Sequence, residues 1–235
     1  VSSEKSSLDW RFYGMSKAPY TVEFFINYCE YIKPVFSSLA GKSRKALIFD
    51  CDNTLWKGTL GEDGFDGIEM SSANRGRAFE EIQYMARSLS QKGVLIGLCS
   101  KNNYADVDEV LDKHPDIILK QSDIAIKKVN WEDKADNLLA ISKELNIGLD
   151  SLVFIDDSDF EIENIKSRLP EVHVVKVPKN LHEYPILFKD VSPLFYNHSS
   201  SDEDALKTQM YKVEGQRKES QASFQNVSDY LQSLE

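Results

Sequence analysis

Four short apolar runs constrain this chain most. They are Ala46-Leu47-Ile48-Phe49, then Val94-Leu95-Ile96 through Leu98-Cys99, then Leu152-Val153-Phe154-Ile155, and finally 172–177, which is broken by His173 and Lys176. A strand with one face in water alternates polar and apolar residues. A run that does not alternate reads as a strand covered on both faces, as in a parallel sheet. Between the runs lie stripes at helical spacing: Phe79, Ile82, Met85/Ala86 and Leu89; Leu138, Ile141 and Leu145; Ile162, Ile165 and Leu169. Gly93 and Gly148 follow two of these stripes, where a glycine commonly ends a helix. Strand and helix alternate, which predicts an α/β fold with a doubly wound parallel sheet.

The pattern divides the chain in three. Residues 44–198 are expected to form the α/β domain. Residues 1–43 read as an N-terminal helical flank, with Phe25, Tyr28, Ile32, Val35 and Leu39 as its stripe, Pro34 expected to kink or divide it and Gly41 to end it. Residues 199–235 read as a C-terminal helical extension with Leu206, Met210 and Val213 on one face. Both flanks look like connectors to something longer. The formal net charge of −10 repels phosphate polyanions, so neither nucleic acid nor an anionic membrane is an expected partner. No apolar run approaches the roughly 20 residues that cross a bilayer. Cys29, Cys51 and Cys99 are too scattered for a disulfide framework and sit in apolar stretches, as reduced core thiols do. Together these features predict a cytoplasmic protein.

In an open parallel sheet, ligands bind beyond the carboxyl ends of the strands. The first run is followed there by Asp50-Cys51-Asp52-Asn53-Thr54, the second by Ser100-Lys101-Asn102-Asn103 and the third by Asp156-Asp157-Ser158-Asp159. One edge therefore gathers Asp50, Asp52, Asp156 and Asp157, which repel one another unless a cation sits among them. Oxygen donors alone select a hard ion, and Mg²⁺ is the expected cofactor. Asp50 and Asp52 are alternate residues and share a face, one placed as nucleophile and one as acid/base. Thr54, Ser100, Lys101 and Asn102 offer hydroxyl, ammonium and amide groups for phosphoryl oxygens. A lysine should complete the clamp.

These residues resemble a known family. Asp50-Cys51-Asp52-Asn53-Thr54 resembles motif I of the haloacid dehalogenase (HAD) superfamily, Ser100 its motif II and Asp156-Asp157 its acidic motif IV. A closer resemblance is to the FkbH-like branch. It is carried by LIFDCDNTLWKGTLGEDG, by Cys99-Ser100-Lys101-Asn102-Asn103, by Val129-Asn130-Trp131-Glu132-Asp133-Lys134-Ala135-Asp136-Asn137, and by Phe154-Ile155-Asp156-Asp157-Ser158, over about residues 17–235. The resemblance implies that Asp50 is the nucleophile and a Mg²⁺ ligand. It implies that Asp52 is the general acid/base, with its backbone carbonyl on the metal. Thr54 and Ser100 then support the phosphate, Lys134 orients nucleophile and phosphate, and Asp156 and Asp157 complete the metal site. Lys127 and Lys128 lie close enough in sequence to compete with Lys134 for its role.

The family implication is a Mg²⁺-dependent phosphohydrolase or phosphotransferase working through an aspartyl phosphate. FkbH-like proteins are linked to making glyceryl–acyl carrier protein from 1,3-bisphosphoglycerate. The substrate is accordingly expected to be a phosphorylated small molecule or one tethered to a carrier, with acyl carrier protein as a partner. Fuller members of the branch continue into an acyltransferase-like domain. The rival readings are a capless phosphatase acting on a phosphorylated macromolecule and a non-catalytic module that binds a carrier protein. The intervals on either side of Ser100 hold a flap, helices and a strand, with no room for an independent cap domain. Cys51 and Cys99 flank the site, and thiols at apolar strand ends read as inert core residues. Trp56 and Trp131 read as packing or flap residues.

Overall fold

The five strands of the sheet are β1 (Ala46–Phe49), β2 (Leu95–Ser100), β3 (Ile124–Val129), β4 (Leu152–Asp156) and β5 (His173–Lys176). In this computed structural model they lie in the order β3-β2-β1-β4-β5, and every pairing is parallel. The structure describes residues 7–17, 19–73 and 75–198. The expected doubly wound α/β sheet is therefore present. The four apolar runs are β1, β2, β4 and β5. The fifth strand, β3, carries Lys127 and Lys128 within Ile-Ala-Ile-Lys-Lys-Val, and these lysines hide it from a search for apolar runs. Edge strands accept such residues, and β3 is an edge.

The described residues form two compact units, 7–43 with 196–198, and 44–195. In the first, α1 (Trp10–Ser16) starts at Asp9 and α2 (Val22–Leu39) at Thr21, whose hydroxyl accepts from the Phe24 N–H at 3.1 Å. Pro34 neither divides nor ends α2. The ring removes one N–H, and the carbonyl it orphans, four residues earlier at Glu30, lies on an exposed turn where water can satisfy it. Gly41 follows the helix at φ 69°, as expected. Cys29, expected in the core, is exposed on α2. Residues 199–235, expected to be a helical extension, lie outside the described residues. No described helix is long and apolar enough to cross a membrane.

In the second unit the helices are α3 (Leu60–Asp63), α4 (Arg77–Gln91), α5 (Tyr104–Lys113), α6 (Lys134–Glu144), α7 (Asp159–Arg168) and α8 (Tyr184–Val191). The strands alternate their side chains between two cores. Leu47, Phe49, Leu98 and Ile155 pack with α4, α5 and α8 on one face. Ala46, Ile48, Cys99 and Phe154 pack with α6 and α7 on the other. The chain leaves β1 toward the first face and β4 toward the second. The loops beyond these adjacent strands diverge, opening the crevice in which open α/β sheets bind ligands. One helix end differs from expectation. Asn146, at φ 49°, takes the left-handed position after α6, while Gly148 stands at φ −68° and starts a single 3₁₀ turn.

Residues 51–76 form the flap between β1 and α4, and α3 is its one helix among the described residues. The backbones of Lys57 and Glu69 exchange hydrogen bonds at 2.8 and 3.0 Å, closing it into a loop. Gly76 ends it against the backbone of Met70, where a Cβ would lie 2.4 Å from the Met70 Cα, so no other residue fits. The base of the flap is tied inward by Gln83, a fully buried amide within the apolar stripe of α4. Its Nε2 donates to the Leu55 carbonyl at 2.8 Å, and its Oε1 accepts from the Ile118 and Leu119 N–H groups at 2.8 and 3.2 Å. Gln83→Leu keeps the volume but strands three backbone groups, two of them buried. Urea denaturation should show a loss of about 2–4 kcal/mol, and a loss below about 0.5 kcal/mol would mean that the tie is not structural.

Candidate active site

Asp50 stands immediately after β1, with its N–H bonded to the Ile155 carbonyl of β4 at 2.9 Å. Asp156 is the last residue of β4 and is fully buried, and Asp157 follows it, half-exposed. Lys134 is the first residue of α6 and is 4% exposed. Its Nζ lies 2.9 Å from Asp50 Oδ1 and 2.6 Å from Asp156 Oδ2. The ammonium thus bridges the carboxylates at the ends of the two central strands. Lys134 is placed there by its own helix start: Asp133 caps α6 by accepting from the Ala135 and Asp136 N–H groups. Lys127 and Lys128 are spent elsewhere, on Asp108 with Gln121 and on Glu144 respectively.

Asp50, Asp156 and Asp157 each bring one carboxylate oxygen to a common point, all within 4.8 Å of one another. Three carboxylates and one ammonium leave two negative charges uncompensated in a largely buried place. The titration of Asp156 and Asp157 reflects this. Burial raises Asp156 first, and repulsion from Asp50 adds to it, against the opposing pull of Lys134. Asp157 is raised for the same two reasons. Burial alone would lower Lys134, but Asp50 and Asp156 outweigh it and hold the ammonium above the usual lysine range. Such a set of oxygen donors with surplus charge fits a hard divalent cation.

Asp52 turns to a different side. Its Oδ1 accepts from the Trp56 indole N–H at 3.0 Å and from the Leu60 N–H at 3.1 Å, both in the flap. Its Oδ2 accepts from Asn102 Nδ2 at 3.0 Å. The Asp52 carboxylate is therefore not part of the three-acid cluster. Burial nonetheless raises its titration, opposed by the bonds from Leu60 and Trp56. Two acids two residues apart thus have distinct surroundings, which suits distinct roles.

The other expected residues are placed as follows. Thr54 is fully buried, and its hydroxyl is unpartnered. Ser100 ends β2, is 2% exposed and lies against the Cys51 thiol. Lys101 does not face the acid cluster freely. Its Nζ is paired with the buried Glu161 at 2.7 Å. The motif Ser158-Asp159-Phe160-Glu161 spells a capping box, yet the Ser158 N–H donates to Asp156 Oδ1 at 2.8 Å, and Glu161 turns to Lys101 instead. The Cys51 and Cys99 thiols are buried, and burial pushes both well above the usual thiol range, so neither is a ready nucleophile. Trp56 is buried in the flap, whereas Trp131 is 75% exposed. Leu60 and Glu161 are site neighbours missed from sequence, whereas Trp56 reads from sequence as a packing or flap residue or a wall of the substrate site. Only the capping-box spelling around Glu161 carries a local signal, and it points elsewhere.

Neither protein-family models nor curated proteins give a match. Among solved structures, the chain is similar to the N-terminal part of a Bacteroides fragilis protein that contains a phosphatase domain complexed with Mg. The identity is 32% and the TM-score 0.72, over 84% of this chain and 52% of that one. The two share a parallel α/β fold. This chain spans about half the length of that relative. More distant likenesses are to an uncharacterized Corynebacterium glutamicum protein, at 12% identity and TM-score 0.43 over 64% of this chain and 94% of that one. A Bacteroides thetaiotaomicron HAD family enzyme in complex with magnesium and inorganic phosphate has 16% identity and TM-score 0.42, over 58% of this chain and 96% of that one. In this site the buried Lys134 bridge is the main internal compensation. Lys134→Met should destabilise the cation-free protein by about 3–5 kcal/mol in urea denaturation. Lys128→Met, which breaks a partly exposed pair, should cost no more than about 1 kcal/mol. Equal costs would contradict the assignment of Lys134 as the bridging lysine.

Proposed function

We propose that this chain is a Mg²⁺-dependent HAD phosphatase or phosphotransferase that works through an aspartyl phosphate on Asp50. The observation that carries this is the meeting of Asp50, Asp156 and Asp157 within 4.8 Å beside the buried Lys134 ammonium, at the carboxyl ends of β1 and β4. The Mg-bound phosphatase domain of the Bacteroides fragilis relative supports the choice of ion and chemistry. Asp50, Asp156 and Asp157 would hold the ion, joined by the Asp52 backbone carbonyl that the family resemblance implies. Mg²⁺ bound there offsets the repulsion between anionic nucleophile and anionic phosphate.

The steps then follow from this chain's residues. An Asp50 carboxylate oxygen attacks phosphorus, and the bond from phosphorus to the substrate oxygen breaks. Asp52 gives its proton to that oxygen, so the leaving group departs neutral. Water then attacks the phosphoryl group on Asp50, Asp52 takes its proton, and phosphate leaves with Asp50 regenerated. Lys134 holds Asp50 in place and balances charge as the phosphoryl group arrives. Thr54 and Ser100 support phosphoryl oxygens.

The finer reading is FkbH-like. Its motifs favour a small phosphorylated metabolite or acyl phosphate such as 1,3-bisphosphoglycerate, free or presented with acyl carrier protein. The buried thiols of Cys51 and Cys99, pushed well above the usual range, speak for an acyl acceptor other than these two. Turnover of acetyl phosphate and 4-nitrophenyl phosphate, with Mg²⁺ and with chelator, tests the general reading. We expect turnover that chelator removes and that Asp50→Asn lowers by on the order of 10³-fold or more. Mg²⁺ should also raise the thermal midpoint of the wild type and not that of Asp157→Asn. Full activity in Asp50→Asn would overturn the nucleophile. No turnover of any phosphate by the folded protein would favour the carrier-binding module. A glyceryl thioester on added acyl carrier protein would support acyl transfer.

A further inference from the structure

The hydrogen bonds around Asp52 do more than hold it. A carboxylate oxygen has two in-plane lone pairs. Both pairs of Oδ1 are taken, by the Trp56 indole and the Leu60 N–H. One pair of Oδ2 is taken by Asn102 Nδ2. We propose that Asn102 is a positioning residue which, with the two flap donors, leaves the Asp52 carboxyl a single place for a proton, the second lone pair of Oδ2, and so aims the acid at the leaving oxygen. The inference rests on the phosphatase reading above and deepens it.

Asn102 is built to hold one orientation. It is 4% exposed, so solvent does not compete for its amide. Its Oδ1 accepts from the Asn103 N–H at 3.1 Å. Asn103 in turn caps α5, its Oδ1 accepting from the Ala105 N–H at 3.1 Å. A flipped Asn102 amide would set carbonyl against carboxylate and NH₂ against N–H, losing both bonds. The start of α5 is thereby linked through Asn103 and Asn102 to Asp52. One N–H of the Asn102 amide is thereby committed to Asp52. In the step itself, the proton on Oδ2 passes to the bridging oxygen as its bond to phosphorus breaks. Asp52 is left as the carboxylate, and the alcohol leaves neutral.

A residue that aims an acid matters in proportion to how much the leaving group needs a proton. Glycerol 3-phosphate releases a poor alkoxide and needs protonation. 4-Nitrophenyl phosphate releases a stable phenolate and needs little. With the full chain and Mg²⁺, Asn102→Leu should lower kcat on glycerol 3-phosphate by on the order of 10²-fold. The loss on 4-nitrophenyl phosphate should be at least roughly tenfold smaller. In the Asp52→Asn background, Asn102→Leu should add no further loss, because its effect passes through Asp52. Asn102→Ala, which removes the donor with a smaller side chain, should give the same ordering if the leucine variant does not fold. Equal losses on both substrates, or losses that add to Asp52→Asn, would overturn the role of Asn102. A wild type that turns over neither substrate would instead overturn the phosphatase reading beneath it.

Discussion

The ammonium of Lys134 is the contact on which the site depends. Asp50 and Asp156 end adjacent parallel strands, and their carboxylates face one another across the switch point of the sheet. Without a cation between them, two buried charges would stand in apposition, a cost of several kcal/mol in such a place. Lys134 reaches them because α6 begins where it does. That start is set by Asp133, which also accepts from Asn164 at 3.1 Å and from Arg168 at 2.7 Å, both on α7. The two helices on one face of the sheet therefore meet at the residue that locates the lysine, and fold and site share a single network.

One lysine does not balance three acids. The surplus charge at Asp50, Asp156 and Asp157 fits a divalent cation at this edge, and it places part of the chain's excess of acidic residues. Asp52 escapes that cluster because the flap and Asn102 claim its carboxylate. The proposed nucleophile, held by an ammonium, and the proposed acid, held by neutral donors, are thus separated by one residue, Cys51, whose thiol is buried. The division of labour comes from what each carboxylate faces.

Most of the sheet was legible because burial on both faces removes the polar alternation from β1, β2 and β4. β3 was legible only as room for a strand between Ser100 and Lys134, since its lysines lie on an edge where Asp108, Gln121 and Glu144 compensate them. The acids at the strand ends were legible from position alone. The choice of Lys134 over Lys127 and Lys128 came from motif register, and only side-chain direction separates the three. Local rules misled where tertiary contacts outweighed them. Asn146 ends α6 in place of Gly148. The exposed turn of α2 tolerates Pro34. Lys101, expected to meet phosphate, is already paired with Glu161. The partners of Asp52 were illegible for another reason: a backbone N–H in the flap and an indole four residues away have no signature in sequence.

The central claim is that the Asp50 carboxylate takes the phosphoryl group. Acid-quenching a single turnover of acetyl phosphate with Mg²⁺, followed by peptide mass spectrometry, reads this most directly. The account predicts the mass of one added phosphoryl group on the peptide holding Asp50, and its absence in Asp50→Asn. A phosphoryl group on any other residue, or turnover that proceeds with none trapped on Asp50 at any quench time, would contradict it.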